Sequence, residues 1–446
     1  MDRIKNWLKS RKTDDKSIVI LLIKGYVILT VLCFIILSLP ISQNSDTSII
    51  NHIFYAVSIV STTGLAPSNF NETYSIFGQV WSLLFIQLGG IGYMALSSFI
   101  ILKQFKSLPS LSARLLKLEF NLPQKYPLKS FIISVFIFTL TIELTGAILL
   151  YFGFKEAGIE NPIWQAIFHS ISAFCTAGFS LYDGSMTSFK DHSFITNTIL
   201  ALSLLGSIGF IVLLDLWFRI IGERKKITLT SKIILFSTFL FWSAASVILF
   251  FSDSTLLSDG WNGLRISIFQ CISAHTTVGF NNYDLGSIST GGIFIMIVLM
   301  IVGASPAGTG GGIKTTSITA LIAVLMSVLR RRKRVTFFHK EIPGANIYLA
   351  VSSAIFYTFI LMIGTWTVLI IDGDRFSFDN ILFEVTSALS TVGLSTGITA
   401  QLSDASKVVI SLMMFIGRLG VLTVGFALIS KAPLLRNKPE IEDIAI

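Results

Sequence analysis

Phe168-His169-Ser170-Ile171-Ser172-Ala173-Phe174-Cys175-Thr176-Ala177-Gly178-Phe179 is a semi-apolar run lying between two long apolar stretches. It is too short to cross a bilayer as a helix, which takes roughly 20 apolar residues. The same grammar occurs three more times. Aligned on Gly64, Gly178, Gly279 and Gly393, a threonine stands two residues earlier (Thr62, Thr176, Thr277, Thr391). A serine stands six earlier (Ser58, Ser172, Ser273, Ser387) and a phenylalanine ten earlier (Phe54, Phe168, Phe269, Phe383). The pattern Phe-x-x-x-Ser-x-x-x-Thr-x-Gly puts Phe, Ser and Thr along one helix face. Small residues that let helices pack closely explain a serine or a glycine here and there. They do not explain one residue type at one offset in four places.

Around these runs lie eight stretches of membrane-spanning length: about 17–41, 77–102, 130–154, 193–221, 231–252, 290–329, 346–371 and 406–430. The first follows a basic start, but its apolar part is too long for a signal peptide. No small-residue cleavage site follows Leu39-Pro40-Ile41, so it reads as a retained transmembrane helix. The four short pieces, 50–61, 163–175, 262–275 and 379–390, fall between the members of each pair and read as re-entrant. Irregular backbone at membrane depth is tolerated only inside protein or along a water-filled cavity. The expected fold is therefore an all-α polytopic membrane protein of four fused helix–pore-helix–helix modules, 17–102, 130–221, 231–329 and 346–430. No module encloses a pore alone, so the four should form a pseudo-fourfold ring within one ion-translocating domain spanning 1–446.

Composition agrees. Of 446 residues 52% are apolar and only 13% charged, with 37 Phe, whereas a soluble domain carries about 25% charged residues. Three cysteines inside apolar stretches exclude a disulfide scaffold. The net charge of +9 invites a nucleic-acid reading until the charges are located. The N-terminal tail holds six Lys/Arg, 103–129 six, 219–232 five, 330–340 six and the C-terminal tail three, which is 26 of 34. The alternate loops hold only Lys155, Lys190, Arg265, Arg375 and Lys407. Basic residues concentrate on the cytoplasmic side, so both termini are expected in the cytoplasm of a plasma-membrane protein, and the short pieces enter from outside. The run Arg330-Arg331-Arg332-Lys333-Arg334 is then a topology anchor rather than a nucleic-acid site, compatible with contact to anionic lipid headgroups.

The four Thr-x-Gly segments are expected to be extended strands around one axis, presenting rings of carbonyl oxygens that replace the hydration shell of a cation. Their members are Thr62, Thr63, Gly64, Thr176, Ala177, Gly178, Thr277, Val278, Gly279, Thr391, Val392 and Gly393. Short helices ending at mid-membrane also aim their negative dipole ends at the cavity.

Module 3 differs from the others. As one helix, 290–329 would run about 60 Å, twice the hydrocarbon thickness. Its middle holds Gly303, Ser305, Pro306, Gly308, Thr309, Gly310, Gly311, Gly312 and Lys314, and that glycine and proline content does not hold a helix. Two half-helices joined by an irregular loop are expected, the loop acting as a mobile plug whose Lys314 repels a cation. A Walker loop is excluded because Ile313, not Gly, precedes the Lys and an apolar helix precedes the loop. In module 4 the corresponding place holds Arg418, after Gly417, where modules 1 to 3 have Gly90, Ser207 and Ala304 after Gly89, Gly206 and Gly303. An arginine at membrane depth faces a cavity or a partner. Arg418 is read as an electrostatic barrier that also bonds loop carbonyls, and its competing reading is an ion pair with Glu143. Glu143 itself is either a structural hydrogen-bond partner or a proton-coupling group. His52, His169 and His275 fall at offsets from the glycines that differ from one another, without metal-ligand spacing. No catalytic cluster stands out, so an enzyme is the weakest alternative.

These residues resemble the Trk/Ktr/HKT superfamily of potassium transporters. The resemblance rests on Ser-Thr-Thr-Gly-Leu at 61–65, Cys-Thr-Ala-Gly-Phe at 175–179, Thr-Thr-Val-Gly-Phe at 276–280 and Ser-Thr-Val-Gly-Leu at 390–394. It rests also on 303–316 and on Gly417-Arg418-Leu419-Gly420-Val421-Leu422-Thr423. Eight spans look most like the Ktr-type membrane subunit. The resemblance implies potassium uptake, often sodium-stimulated, by a homodimer with one pore per subunit. It implies a separate ring of cytoplasmic nucleotide-binding regulatory subunits and no covalently bound cofactor. No dinucleotide fingerprint occurs in the chain, so nucleotide control would act in trans. A proton- or sodium-coupled symporter is the alternative mechanism. Family gating loops commonly read Ser-Pro-Gly-Ser-Thr, and this chain has Ser305-Pro306-Ala307-Gly308-Thr309. All four filter positions are glycine, which in this family accompanies potassium rather than sodium transport.

Overall fold

A computed structural model describes residues 15–428 apart from 106–109, 121, 123–126, 224–225 and 333. Of the basic residues in the N- and C-terminal tails, only Lys16 falls within the described residues.

Each module opens with a long apolar helix: Asp15–Leu37, Leu128–Glu156, Leu229–Ser252 and Gly344–Asp372. All four are long and apolar enough to cross a membrane. Their outward faces stay apolar and uncovered, as with Leu140 and Leu144 in module 2 and Phe239 and Phe251 in module 3. A face of that kind is satisfied by lipid, not water. The short pore helices follow as Ile49–Val60, Pro162–Phe174, Trp261–Thr276 and Phe378–Leu389.

The second long stretch departs from the expectation. A break was expected only in module 3, but all four modules are broken. The halves are Ile76–Ile91 and Tyr93–Phe105, Ser193–Ile208 and Phe210–Ile220, Thr290–Ile301 and Thr315–Leu329, and Asp404–Leu419 and Val421–Leu428. The pairs in modules 2 and 4 bend by 95° and 96°. In modules 1, 2 and 4 the cause is one glycine in each: Gly92, Gly209 and Gly420 have φ of +87°, +92° and +84°, values that end a right-handed helix and that only glycine adopts freely. Hydropathy runs unbroken across these joints, so apolar length does not reveal them.

The ring is closed by the repeated phenylalanines. Phe168 and Phe179 of module 2 pack in a cluster with Tyr55, Phe70 and Tyr74 of module 1. Phe269 and Phe280 of module 3 join Ile195 and Ile199 of module 2. Phe383 and Leu394 of module 4 join Met296 and Met300 of module 3. Phe54 and Leu65 of module 1 join Ile410 and Met414 of module 4. Each module thus drives the phenylalanine ten residues before its glycine, and the residue just after that glycine, into its predecessor. Exposure of the four phenylalanines is 0 or 1%. At membrane depth such contacts are held by close van der Waals packing rather than by expulsion of water, so the repeat encodes the intermodule contact.

Candidate functional site

The four Thr-x-Gly segments meet at the centre. A methyl group placed on Gly64 would lie 2.4 Å from the carbonyl oxygen of Ala177, and one on Gly178 2.2 Å from that of Val278. On Gly279 it would lie 2.0 Å from Val392 O, and on Gly393 2.0 Å from Thr63 O. The order runs from module 1 through 2, 3 and 4 back to 1. Eight of the twelve residues expected in the ring meet through these contacts, each glycine α-carbon facing the carbonyl of the residue before the next glycine. No side chain fits at these positions. The four glycines also have φ of +92°, +65°, +80° and +94°. A cavity of about 370 Å³ opens on one side, lined by all four glycines and by Ser180, Asp183, Asn281, Ser395 and Thr399 among others.

The threonines are not extended, as expected from the sequence, but left-handed. Thr62, Thr176, Thr277 and Thr391 have φ of +53°, +50°, +58° and +50°. Each ends a pore helix in a Schellman motif. The Thr62 amide bonds Ile59 O at 3.1 Å and the Thr63 amide bonds Ser58 O at 2.9 Å. The same pair of bonds recurs at Thr176 and Ala177, Thr277 and Val278, and Thr391 and Val392. Glycine normally fills this place, and a β-branched residue there is strained, at a cost of order 1–3 kcal/mol each. The hydroxyls of Thr62, Thr176 and Thr277 find partners on the face away from the cavity, whereas Thr391 Oγ1 makes no hydrogen bond among the described residues.

The repeated serines tie the segments in two ways. Ser58 and Ser387 accept from the Gly64 and Gly393 amides, both at 3.1 Å. Ser172 and Ser273 instead donate to the carbonyls of Phe179 and Phe280 at 2.8 and 2.5 Å.

Across the threonine face lies the irregular segment 302–314 of module 3, as expected between its two half-helices. Thr309 Oγ1 donates to Phe174 O and meets Thr176 Oγ1, both at 3.1 Å. The Gly311 amide donates to Thr277 Oγ1 at 3.1 Å. A methyl on Gly310 would lie 2.2 Å from Thr277 Oγ1, and one on Gly311 2.3 Å from Thr391 Oγ1. The segment is anchored on the break of module 2. The Ser305 and Thr309 amides bond Ser207 O and Gly206 O, and the Phe210 amide bonds Ala307 O. Gly303 abuts the Gly311 carbonyl and Gly312 abuts Gly303, so Gly303, Ser305, Gly308, Thr309, Gly310, Gly311 and Gly312 form one folded cap. Pro306 and Ala307 make its turn, with Ser305 O receiving the Gly308 amide at 3.2 Å and Ala307 at φ +58°.

Arg418 reaches the cap from module 4. Its guanidinium donates to Thr62 Oγ1 at 2.9 Å, Thr309 O at 2.5 Å, Gly90 O at 3.1 Å and Gly89 O. The bond to Thr309 O is of the expected loop-carbonyl kind, the others go to module 1, and Glu143 is not among the partners of Arg418. The Glu143 carboxylate instead accepts from Gln87 Nε2 at 2.6 Å, with Cys175 Sγ at 3.6 Å. Lys314 turns back inside the cap and donates to Gly310 O at 2.7 Å. The matching glycines of modules 1, 2 and 4 all permit the same close approach. Gly89, Gly206 and Gly417 abut the carbonyls of Val60, Phe174 and Leu389, the last residues of the pore helices. His52 meets Tyr74 Oη at 2.9 Å, His169 bonds Gln165 O at 2.7 Å and His275 bonds Val302 O at 2.8 Å. Each has a separate partner.

Four pore helices converging on a carbonyl-lined ring, inside an apolar helical shell, define a multi-pass membrane protein built to pass small cations. The chain belongs to the TrkH family, described as "Cation transport protein", which it matches over residues 6–434. It is similar to "Ktr system potassium uptake protein B" of Vibrio alginolyticus, 32% identical over 91% of this chain and 90% of that protein. It is 30% identical to the protein of the same name from Bacillus subtilis strain 168, covering 96% and 95% of the two chains. Identity is also 30% to "Potassium/sodium uptake protein NtpJ" of Enterococcus hirae, over 95% and 96%. The crystal structure of the potassium transporter TrkH from Vibrio parahaemolyticus shares the fold, with a TM-score of 0.75 at 18% identity over 94% of this chain and 86% of that one.

Proposed function

We propose that this chain is the translocating subunit of a potassium uptake system in the plasma membrane, its modules forming one ion-conducting domain. The selectivity filter consists of Thr62, Thr63, Gly64, Thr176, Ala177, Gly178, Thr277, Val278, Gly279, Thr391, Val392 and Gly393. The closed cycle of glycine-to-carbonyl contacts carries this reading. Four backbones meeting at van der Waals range, with no side chain between them, leave carbonyl oxygens as the ligands a dehydrated cation meets. The pore-helix C-termini add negative potential at that level.

The gate is the cap 303–314 together with Arg418. It lies against all four filter threonines, directly or through Arg418, and so stands where an ion leaving the filter must pass. Its glycine-rich backbone changes conformation at low steric cost. Lys314 and Arg418 place two positive charges on the path, which disfavours a cation while the cap is closed.

The names of its relatives support potassium as the transported ion, with sodium as a further ion or stimulant. The term "Ktr system" supports assembly with other components, here a cytoplasmic nucleotide-binding regulatory ring beneath a homodimer. Both termini face the cytoplasm, and the basic stretches lie against anionic lipid headgroups. Sodium- or proton-coupled symport is the second reading. What favours it is Glu143, a buried carboxylate bonded to the residue just before Thr176.

The test is growth. Cells lacking potassium uptake should grow at low potassium when they express this chain with a cognate regulatory subunit. Well-expressed, folded protein that gives no growth refutes the assignment.

A further inference from the structure

Nine residues before each filter glycine stand Tyr55, His169, Gln270 and Glu384. They share no chemistry, and the repeat gives no reason to group them. All four are buried, at 0% exposure for Tyr55, His169, Gln270 and Glu384 alike. Each leaves its pore helix in the same direction, toward the segment that follows its own glycine.

Tyr55 Oη donates to Ser68 O at 2.6 Å, four residues after Gly64. His169 Nδ1 donates to Gln165 O, which leaves Nε2 free to accept from the Leu181 amide at 3.3 Å, three residues after Gly178. Gln270 meets Asn282 at 3.1 Å, three residues after Gly279. With its oxygen turned to the backbone, it accepts from the Asn282 and Tyr283 amides at 3.1 and 3.2 Å. Glu384 accepts from Ser395 Oγ at 2.8 Å and from Thr399 Oγ1, two and six residues after Gly393. Ser395 in turn accepts from the Gly397 amide at 3.0 Å and lies 2.9 Å from Thr399 Oγ1.

We propose that these four residues are positioning struts that hold the outer ends of the filter strands, and that Glu384 sets ion selectivity through its hold on Ser395 and Thr399. The inference rests on the filter reading above. A carbonyl ring discriminates between cations only while its oxygens keep their place against the pull of the ion. The strands have no ladder of their own to stiffen them. The pore helix fixes the inner end of each through the Schellman bonds and the serine. The strut fixes the outer end from one helical turn further back. The result is a strand held at both ends by one rigid helix. In module 4 the strut is a carboxylate, and Glu384 organises two hydroxyls and, through Ser395, one amide.

The chemistry differs between modules because the outer segments offer different groups. A backbone carbonyl calls for the Tyr55 hydroxyl, backbone amides call for an acceptor on His169 or Gln270, and two hydroxyls are both satisfied by one carboxylate.

The test compares potassium and sodium uptake by the full chain with its regulatory partner, for wild type, Glu384→Ala, Glu384→Gln, Tyr55→Phe and Gly279→Ser. Folding is checked by the size-exclusion profile in detergent. Glu384→Ala should lower the potassium-to-sodium uptake ratio by about tenfold, the scale of one lost charge-assisted hydrogen bond, while total cation flux persists. Tyr55→Phe, which removes only Oη, should lower it in the same direction. Glu384→Gln should keep the ratio near wild type, since the amide accepts from one hydroxyl and donates to the other. An unchanged ratio in folded Glu384→Ala and Tyr55→Phe, with a collapsed ratio in Gly279→Ser, overturns the struts and leaves the filter standing. A Gln variant as impaired as the Ala variant also overturns them, because charge rather than position would then matter. An unchanged ratio in Gly279→Ser removes the filter reading and the struts with it.

Discussion

Removing the Arg418 guanidinium should open the pore. Three of its bonds, to Gly89 O, Gly90 O and Thr62 Oγ1, join module 4 to module 1 and do not involve the cap. Only the bond to Thr309 O at 2.5 Å fastens the cap itself. A hydrogen bond to a charged group contributes about 1.5–3 kcal/mol net. At about 1.4 kcal/mol per factor of ten, its loss shifts the closed-to-open equilibrium by roughly 10- to 100-fold. A second effect acts in the same direction. At a separation of about 6 Å and an effective dielectric constant of about 20, the guanidinium would repel a cation by about 3 kcal/mol. Arg418→Ala removes both terms, Arg418→Gln removes the charge but keeps a donor, and Arg418→Lys keeps the charge but loses the fork. Initial potassium uptake per folded protein, in depleted cells without the regulatory subunit, should rank Ala above Gln above Lys above wild type. Folded Arg418→Ala at or below the wild-type rate would falsify both the latch and the barrier.

Gly279→Ser should cut the potassium-to-sodium uptake ratio by about tenfold or more, since its Cβ would meet Val392 O at 2.0 Å and shifts a filter strand; a wild-type ratio in folded protein counts against the carbonyl ring. Ala307→Gly should relieve about 1–2 kcal/mol of left-handed strain at φ +58°, stabilising the closed cap and lowering unstimulated uptake; faster uptake would show that the turn opens rather than closes the gate. Deleting 305–312 should raise uptake in the absence of the regulatory subunit, and a drop in protein that keeps its size-exclusion profile argues against a plug. For Glu143→Gln, reversal potentials should track the potassium gradient alone, as in wild type. A proton-dependent component lost in the variant would instead establish coupling.

How much of the molecule is legible in its sequence follows from where each signal is carried. The modules, their pore helices, the twelve residues proposed as the filter and the cap of module 3 are legible because each is a repeated or locally extreme pattern. Four glycines at one offset mark themselves, and so does a glycine-rich string inside an apolar stretch. Arg418 is legible as a charge where charge is expensive, but its partner is not. Choosing between Glu143 and the carbonyls of Gly89, Gly90 and Thr309 requires knowing which modules are neighbours. The breaks at Gly92, Gly209 and Gly420 are hidden because one glycine barely alters the hydropathy of a long apolar run. Tyr55, His169, Gln270 and Glu384 are hidden because they differ in type, and His169 in particular reads as unmatched.

The class is written in the chain read locally: a membrane protein of four modules, each with a short helix ending in Thr-x-Gly. Periodicity, apolar length and repetition are properties of the chain read locally. Three-dimensional packing is what makes the threonines left-handed, seats each phenylalanine in the preceding module, and rests the cap on module 2 while Arg418 reaches it from module 4. Those facts concern residues far apart in the chain, Arg418 and Thr62 lying 356 positions apart. They are settled by close packing around a common axis, where a carbonyl, a hydroxyl or a guanidinium must find a partner once water is excluded.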